Sequence, residues 1–261
     1  MPETQLVETN VHEQVATLRL NRPEAGNALS AALVTQLHGE LDAVDGRDDV
    51  RAIILCGAGR GFSAGADVNE LAQAPVEMLA EGESTLIQVA QRLAAARCPV
   101  IAAVHGYAVG GGFLLALYCD FRMAATETRI GFPKLSRAWL PACGLARLAE
   151  LMGPLRAQQF VLLPGPIGAD EALKRGLVDR VVEPDDLPLE AMALARQLAQ
   201  SSPRLVEETR RFFAAWRGRD YDHWDQLAVT GFARAFAGAE ARQALEGLRQ
   251  SLDRTRQGES R

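Results

Sequence analysis

The sequence predicts an α/β domain that continues into a helical region. Two short apolar segments, residues 52–56 and Val100–Val104, are each followed by a glycine-rich turn and then by a helical pattern. That order marks buried strands alternating with helices. From residue 187 onward strand-like segments stop and four helical patterns follow, so the chain divides into a core at residues 1–186 and a C-terminal helical region at 187–261. Its 261 residues, 48% hydrophobic and 23% charged, suit one large domain with an appendage and exclude collagen-like, disordered and low-complexity classes.

In chain order, residues 6–8 and 15–20 cluster β-formers and read as paired strands ending at Asn21-Arg22-Pro23. Ser30 suits an N-cap, and Leu33, Leu37, Leu41 and Val44 form the inward stripe of the helix it starts, with His38 on the solvent side. After the strand at 52–56 comes Gly57-Ala58-Gly59-Arg60-Gly61-Phe62-Ser63-Ala64-Gly65-Ala66-Asp67. The next helix starts near Asp67, which with Glu70 three residues on forms a capping-box pair. Residues 75–97 carry Glu77, Glu81 and Glu83 and then a helix with Ile87, Ala90, Leu93 and Ala94 on its apolar stripe. A short strand at 129–132 is broken by Pro133. Helices follow at 144–152, 155–163 and 169–175, the last stopped by Gly176. Val181 and Val182 close a final strand, and the later helices break near Ser201, Gly218 and Gly238.

The longest apolar run, residues 99–120, has the length of a membrane span. Three consecutive glycines, Gly110 to Gly112, argue against one continuous helix, because each costs a helix interior about 1 kcal/mol relative to alanine. The run therefore divides into a strand at Val100–Val104, a crossing loop at 105–109 and a buried helix opening at Gly111. Glycine removes the Cβ that would block an approaching backbone, and the first N–H groups of a helix lack internal partners and suit an anion. A P-loop is excluded, since Gly112 and Phe113 follow Gly111 in place of Lys and Ser or Thr. The spacing Gly106-x-x-x-Gly110-Gly111-Gly112 does not match a dinucleotide fingerprint either. The same device, small residues leading into a helix N-terminus, occurs around Ala66 and around Gly111. Two N–H groups converging from such turns make an oxyanion hole.

A net charge of −5 argues against a broad basic face for nucleic acid. Cys56, Cys98, Cys119 and Cys143 show no C-x-x-C spacing, so reduced thiols and no metal are expected. The first ten residues carry neither a basic n-region nor an apolar h-region, from which a cytoplasmic protein without membrane attachment is expected.

Four motifs, read together, carry a resemblance. They are Asn21-Arg22-Pro23-Glu24-Ala25-Gly26-Asn27-Ala28-Leu29-Ser30, Phe62-Ser63-Ala64-Gly65-Ala66-Asp67, Ala103-Val104-His105-Gly106-Tyr107-Ala108-Val109-Gly110-Gly111-Gly112 and Ala172-Leu173-Lys174-Arg175-Gly176-Leu177-Val178. In order and spacing the chain resembles the crotonase superfamily, also called the enoyl-CoA hydratase/isomerase family, over nearly its whole length. The resemblance implies a spiral of ββα units, a C-terminal helical trimerisation region giving a homotrimer or dimer of trimers, and an acyl-CoA thioester as substrate. No separate cofactor is implied, coenzyme A being part of the substrate. It further implies that the N–H groups of Ala66 and Gly111 hold the thioester oxygen. Coenzyme A is expected along Asn27, Ala28 and Leu29 and along Ala64, Asp67, Val68 and Asn69.

The departures from the resemblance bear on the reaction. Hydrating members of the family use two glutamates at positions matched here by Leu114 and Lys134. Leucine accepts no proton and a charged lysine has no free lone pair, so ordinary hydration and the one-glutamate isomerisation both lack their base. Dehalogenating members keep an aspartate near the position of Ala142. Chemistry that makes the enolate without a base is left, as in decarboxylation of a β-carboxy acyl-CoA, with Lys134 holding the carboxylate or protonating the product. A relocated base from Glu77, Glu81, Glu83 or Glu150 is a second possibility. Trp139 and Phe113 read as pocket or core residues, with core favoured; Asn69 stands where many relatives have lysine; and Cys143 reads as a buried thiol. The alternative to an enzyme is an acyl-CoA-binding or scaffold protein without catalysis. A Rossmann dehydrogenase, which would act with NAD, is not expected.

Overall fold

The computed structural model describes residues 5–132, 144–162, 165–217 and 221–256. Strands β1 (Val7–His12) and β2 (Val15–Leu20) form an antiparallel hairpin, and β2 then pairs in parallel with β3 (Ala52–Gly57). Strands β4 (Val100–Val104), β6 (Phe121–Ala125) and β9 (Arg180–Val182) continue the parallel sheet in the order β1-β2-β3-β4-β6-β9. A second sheet has the order β5 (Tyr107–Val109), β7 (Arg129–Gly131) and β8 (Ile167–Gly168). The chain moves from one sheet to the other and returns through a helix: β4, β5 and α4 (Gly111–Tyr118) form one such unit, and β6 and β7 open the next. These are the ββα steps of the expected spiral. The segment at 105–109, expected as a crossing loop, includes β5, whose pairing with Arg129–Gly131 supplies the ladder that three residues alone do not announce.

Both faces of the large sheet are covered, which is why its central strands read as unbroken apolar runs. Leu18, Ile53, Leu55, Val100, Ala102 and Ala124 face the main core with α1 (Ala31–Asp45), α3 (Val76–Ala95) and α4. Alternate residues, among them Ala52, Ile54, Ile101, Ala103 and Met123, face α8 (Leu187–Ala199) through Leu187, Ala191 and Ala195. The helical region expected from residue 187 thus begins as a layer of the core. It continues as α9 (Pro203–Arg217), α10 (Tyr221–Phe236) and α11 (Ala239–Arg256). Phe232 and Phe236 of α10 and Leu245 of α11 pack against α2 (Val68–Gln73), the helix that follows the Ala66 turn. Helices α5 (Leu145–Met152), α6 (Pro154–Leu162) and α7 (Ala169–Lys174) complete the described chain. Among the described residues no helix is long and apolar enough to cross a membrane.

Candidate active site

One turn leaves the C-terminal end of β3, and the other follows β5, the short strand that comes directly after β4. After β3 the chain folds back tightly: a Cβ on Gly57 would lie 2.5 Å from the carbonyl oxygen of Phe62. Residues 62–63 then run beside 105–109, with Phe62 N donating to His105 O (3.0 Å), Ser63 N to Tyr107 O (3.0 Å) and Val109 N to Ser63 O (3.1 Å). On the other side Ala64 N donates to Gly26 O (2.9 Å) and Leu29 N to Gly65 O (2.7 Å). The first turn is therefore held between residues 26–29 and the second turn.

At the second turn Gly110 has φ 56° and ψ −123°, a conformation that side chains strongly disfavour, and its N–H donates to Gly131 O (2.9 Å). Gly111 then opens α4, every residue of which is buried. Gly65 has φ 86°, and a Cβ there would lie 2.6 Å from Val109 O and 3.5 Å from Gly111 N. The backbone at Gly65, the residue before Ala66, thus packs against Val109 and the start of α4 with no room for a side chain. Among the described residues no acceptor takes the N–H of Ala66 or of Gly111. The walls are apolar: a Cβ on Gly111 would meet Leu86 Cδ2 at 2.7 Å and Leu29 Cδ1 at 2.9 Å.

Around these amides the polar side chains are engaged in holding the turns. Asn27 is 0% exposed, adopts φ 54°, donates from Nδ2 to Ala58 O (2.8 Å) and Gly61 O (2.9 Å), and accepts from Arg22 N at Oδ1 (2.9 Å). Ser63 Oγ donates to Asn27 O (2.8 Å) and accepts from Gly65 N (3.2 Å). Asp67 caps α2 by accepting from Asn69 N and Glu70 N, and its second oxygen accepts from Arg22 Nη1 (2.5 Å). The expected capping box is only half formed. The Glu70 carboxylate accepts from Ala31 N (2.9 Å) instead, so it caps α1 beside Ser30, whose Oγ accepts from Leu33 N (3.2 Å). Glu70→Ala is expected to lower stability by about 0.5–1 kcal/mol, read as a shift in denaturant midpoint at unchanged slope.

The residues singled out in the sequence fall into distinct places. The Ala66 turn and the Gly111 turn are brought together through Gly65, Ser63 and Val109. Ala64 is exposed and Val68 and Asn69 half-buried at the start of α2, whereas Ala28, Leu29, Asn27 and Asp67 are buried, the last two with their side chains committed as above. Lys134, Trp139, Ala142 and Cys143 lie outside the described residues, as does the side chain of Glu77. Leu114 is fully buried, with Cδ1 2.7 Å from the Cβ position of Gly144. Phe113 stacks among Phe132 (5.2 Å between centroids) and Phe160 (6.2 Å), a core residue. Glu81 is exposed, Glu150 accepts from Arg147 Nη1 (2.5 Å), and Glu83 is buried on α3. Burial pushes the Cys119 thiol up to about 12 and the Cys56 thiol up to about 11, so neither supplies a thiolate nucleophile at neutral pH.

A cavity of about 220 Å³ at the opposite ends of β3 and β4 is lined by Arg47, Arg51, Arg97, Cys98, Pro203 and Glu207, among others. Two of its arginines are engaged, Arg47 with the Asp49 carboxylate (2.7 Å) and Arg97 with the Asp45 carbonyl oxygen (2.7 Å). That cavity is remote from the Ala66 and Gly111 turns.

Two apposed backbone turns on a ββα spiral, walled by leucine, define a protein of the crotonase fold. Residues 10–250 match the family model described as "Enoyl-CoA hydratase/isomerase". The chain is 34% identical over 239 residues to the short-chain-enoyl-CoA hydratase of Clostridium acetobutylicum, covering 89% of this chain and 90% of that protein. It is 39% identical over 201 residues to the 2,3-dehydroadipyl-CoA hydratase of Escherichia coli K12, covering 76% and 78%. The crystal structure of an enoyl-CoA hydratase/isomerase from Xanthobacter autotrophicus Py2 superposes with a TM-score of 0.87 at 28% identity, covering 94% of this chain and 93% of that one. The chain belongs to the enoyl-CoA hydratase/isomerase family of the crotonase superfamily.

Proposed function

We propose that the protein catalyses a reaction of an acyl-CoA thioester through an enolate whose oxygen rests between the N–H groups of Ala66 and Gly111. The observation that carries this reading is the meeting of the Gly65 and Gly111 backbones, with both neighbouring amides unclaimed by the described residues. A thioester enolate bears its charge on oxygen, and fixed donors there stabilise the transition state without reorganisation. The coenzyme A moiety lies along residues 27–29 and 64–69, where Ala64, Val68 and Asn69 offer the accessible surface and Asn27 and Asp67 hold the backbone in place. Exposed Leu205, Phe212 and Phe213 on α9 and Trp224 and Leu227 on α10 support a homotrimer or dimer of trimers.

Ordinary two-glutamate hydration is disfavoured, because the buried Leu114 side chain offers no proton acceptor. Decarboxylation of a β-carboxy acyl-CoA fits the oxyanion site: the bond from Cα to the carboxylate carbon breaks, carbon dioxide leaves, and the electron pair passes to the thioester oxygen before Cα is protonated. Lys134 is the proposed partner of the departing carboxylate. The second reading, favoured by Leu114 at a glutamate position, is a CoA-ester-binding protein without turnover. Incubation with a panel of enoyl-CoA and malonyl-type CoA esters separates them. Release of carbon dioxide or a change at the enoyl absorbance, lost in Gly111→Pro, is expected; binding without turnover of any ester would establish the second reading.

A further inference from the structure

We propose that the cavity at the N-terminal ends of β3 and β4 is a second ligand site, for a small organic phosphate, separate from the acyl-CoA site. Its walls come from three parts of the chain: residues 47–51 leading into β3, residues 97–98 leading into β4, and the junction of α8 with α9 at Leu198, Ser201 and Val206. The parallel register Ile53↔Val100 sets Arg51 abreast of Cys98, two residues before that pair. The sheet therefore brings Arg51 and Arg97 to the same end of two neighbouring strands.

Both acids of the lining already have a cation. Asp48 is fully exposed and stands 4.0 Å from Arg97 Nη1, and Glu207 accepts from Arg211 Nη2 (2.7 Å). Arg47 is held by both oxygens of Asp49, and Arg97 Nε donates to Asp45 O (2.7 Å). Arg51 differs. Its main-chain N–H donates to Gln14 O (2.7 Å), but among the described residues no acceptor takes its half-buried guanidinium, which keeps all its donors for a ligand. The first turn of α9 adds to the positive field. Val206 N makes the first helical bond, to Ser202 O (3.0 Å), so the N–H groups of Arg204 and Leu205 have no acceptor in the helix, and Pro203 and Val206 of that turn line the cavity. The Ser201 hydroxyl is exposed beside them. Donors from three chain segments suit a tetrahedral phosphate better than a flat carboxylate.

The volume narrows the ligand class. About 220 Å³ is room for about seven waters, more than a bare phosphate fills and less than a drug-sized molecule occupies. Val50, Leu198 and Val206 give the remainder an apolar wall, so the fitting ligand is a phosphate monoester with a body of a few carbon atoms. It is bound rather than attacked: Cys98 donates from Sγ to Val50 O (3.2 Å), and burial pushes its thiol up.

The test is calorimetric titration of the full chain with glycerol 2-phosphate, orthophosphate and succinate at constant ionic strength, repeated with saturating coenzyme A. Glycerol 2-phosphate is expected to bind with a Kd on the order of 1 mM, more tightly than the other two, and coenzyme A leaves the titration unchanged. Arg51→Gln is expected to weaken binding about 10–100-fold through loss of charge-assisted hydrogen bonds, whereas Arg156→Gln, at an exposed position on α6, has no effect. Absence of binding, equal affinity for succinate, displacement by coenzyme A, or full affinity in Arg51→Gln would each overturn the proposal. Should Arg51→Gln fail to fold, phenylglyoxal labelling of the unaltered protein decides. Glycerol 2-phosphate is expected to shield Arg51 from the reagent, and a labelling rate that it does not slow overturns the site.

Discussion

Gly65→Ala is expected to lower kcat/KM toward any CoA ester the protein turns over by about 10²–10³-fold, in a protein that still folds. The substitution puts a methyl group where Val109 O stands 2.6 Å away, at a residue whose φ of 86° disfavours any side chain. Backbone oxygen does not give way as a side chain does, so the two turns separate and the amide of Ala66 or of Gly111 leaves the position proposed for the thioester oxygen. Loss of one such donor raises the barrier by about 2.7–4 kcal/mol. The fold loses less: left-handed strain and overpacking together come to about 2–4 kcal/mol. A melting temperature lowered by about 4–15 °C, with unchanged secondary structure by circular dichroism, is the accompanying result. A Gly65→Ala protein within threefold of the parent in kcat/KM would show that the approach of the two turns has no part in catalysis.

The second large effect is on stability. Asn27→Ala removes two donated hydrogen bonds and one accepted one at a fully buried position, leaving the carbonyls of Ala58 and Gly61 and the N–H of Arg22 without that partner. Each orphaned group costs about 1–3 kcal/mol. Alanine also loses the tolerance that asparagine has for φ 54°. A destabilisation of about 3–5 kcal/mol is expected, the range in which buried networks fail, and is measured by urea denaturation. Binding of a CoA ester should recover part of it by mass action. A loss under about 1 kcal/mol would mean that the Asn27 amide is replaceable by water.

Features set by local pattern were legible in the residues alone. Ser30 caps α1 as its type and position imply, Leu33, Leu37, Leu41 and Val44 all turn inward, and the four C-terminal helices break where Ser201, Gly218 and Gly238 suggest. Features that depend on a distant partner were not. β5 has three residues, too short for alternation, and exists because Arg129–Gly131 lies alongside it. β6 follows α4 after only Cys119 and Asp120, too short a break for the residues alone to separate a strand from a continuing helix. Asp67 caps its own helix as read, but Glu70, free to choose among orphan amides, reaches a helix 39 residues earlier in the chain.

The site divides the same way. Glycine at 65 and 111 announces close approach through the absence of a side chain, so the pairing of two turns could be anticipated before the fold was known. Asn27 and Asp67 were drawn into the ligand set by resemblance, whereas their side chains are occupied with Ala58, Gly61, Arg22 and the α2 N-terminus. No local signal marks Arg22 as the partner of a carboxylate 45 residues away. Four acids were equivalent in the sequence as relocated bases; the structure separates three of them, with Glu81 exposed, Glu83 buried on α3 and Glu150 accepting from Arg147.

The stitching of residues 22–31 to residues 63–70 makes the two segments one mechanical part. Five links join them: Arg22 to Asp67, Gly26 to Ala64, Asn27 to Ser63, Leu29 to Gly65 and Ala31 to Glu70. A chimera that takes one segment from this chain and the other from a relative severs a matched set even where every exchanged residue is individually acceptable. Recombination and loop grafting on this scaffold therefore have their natural crossover points outside residues 22–70, and the two segments travel together or not at all.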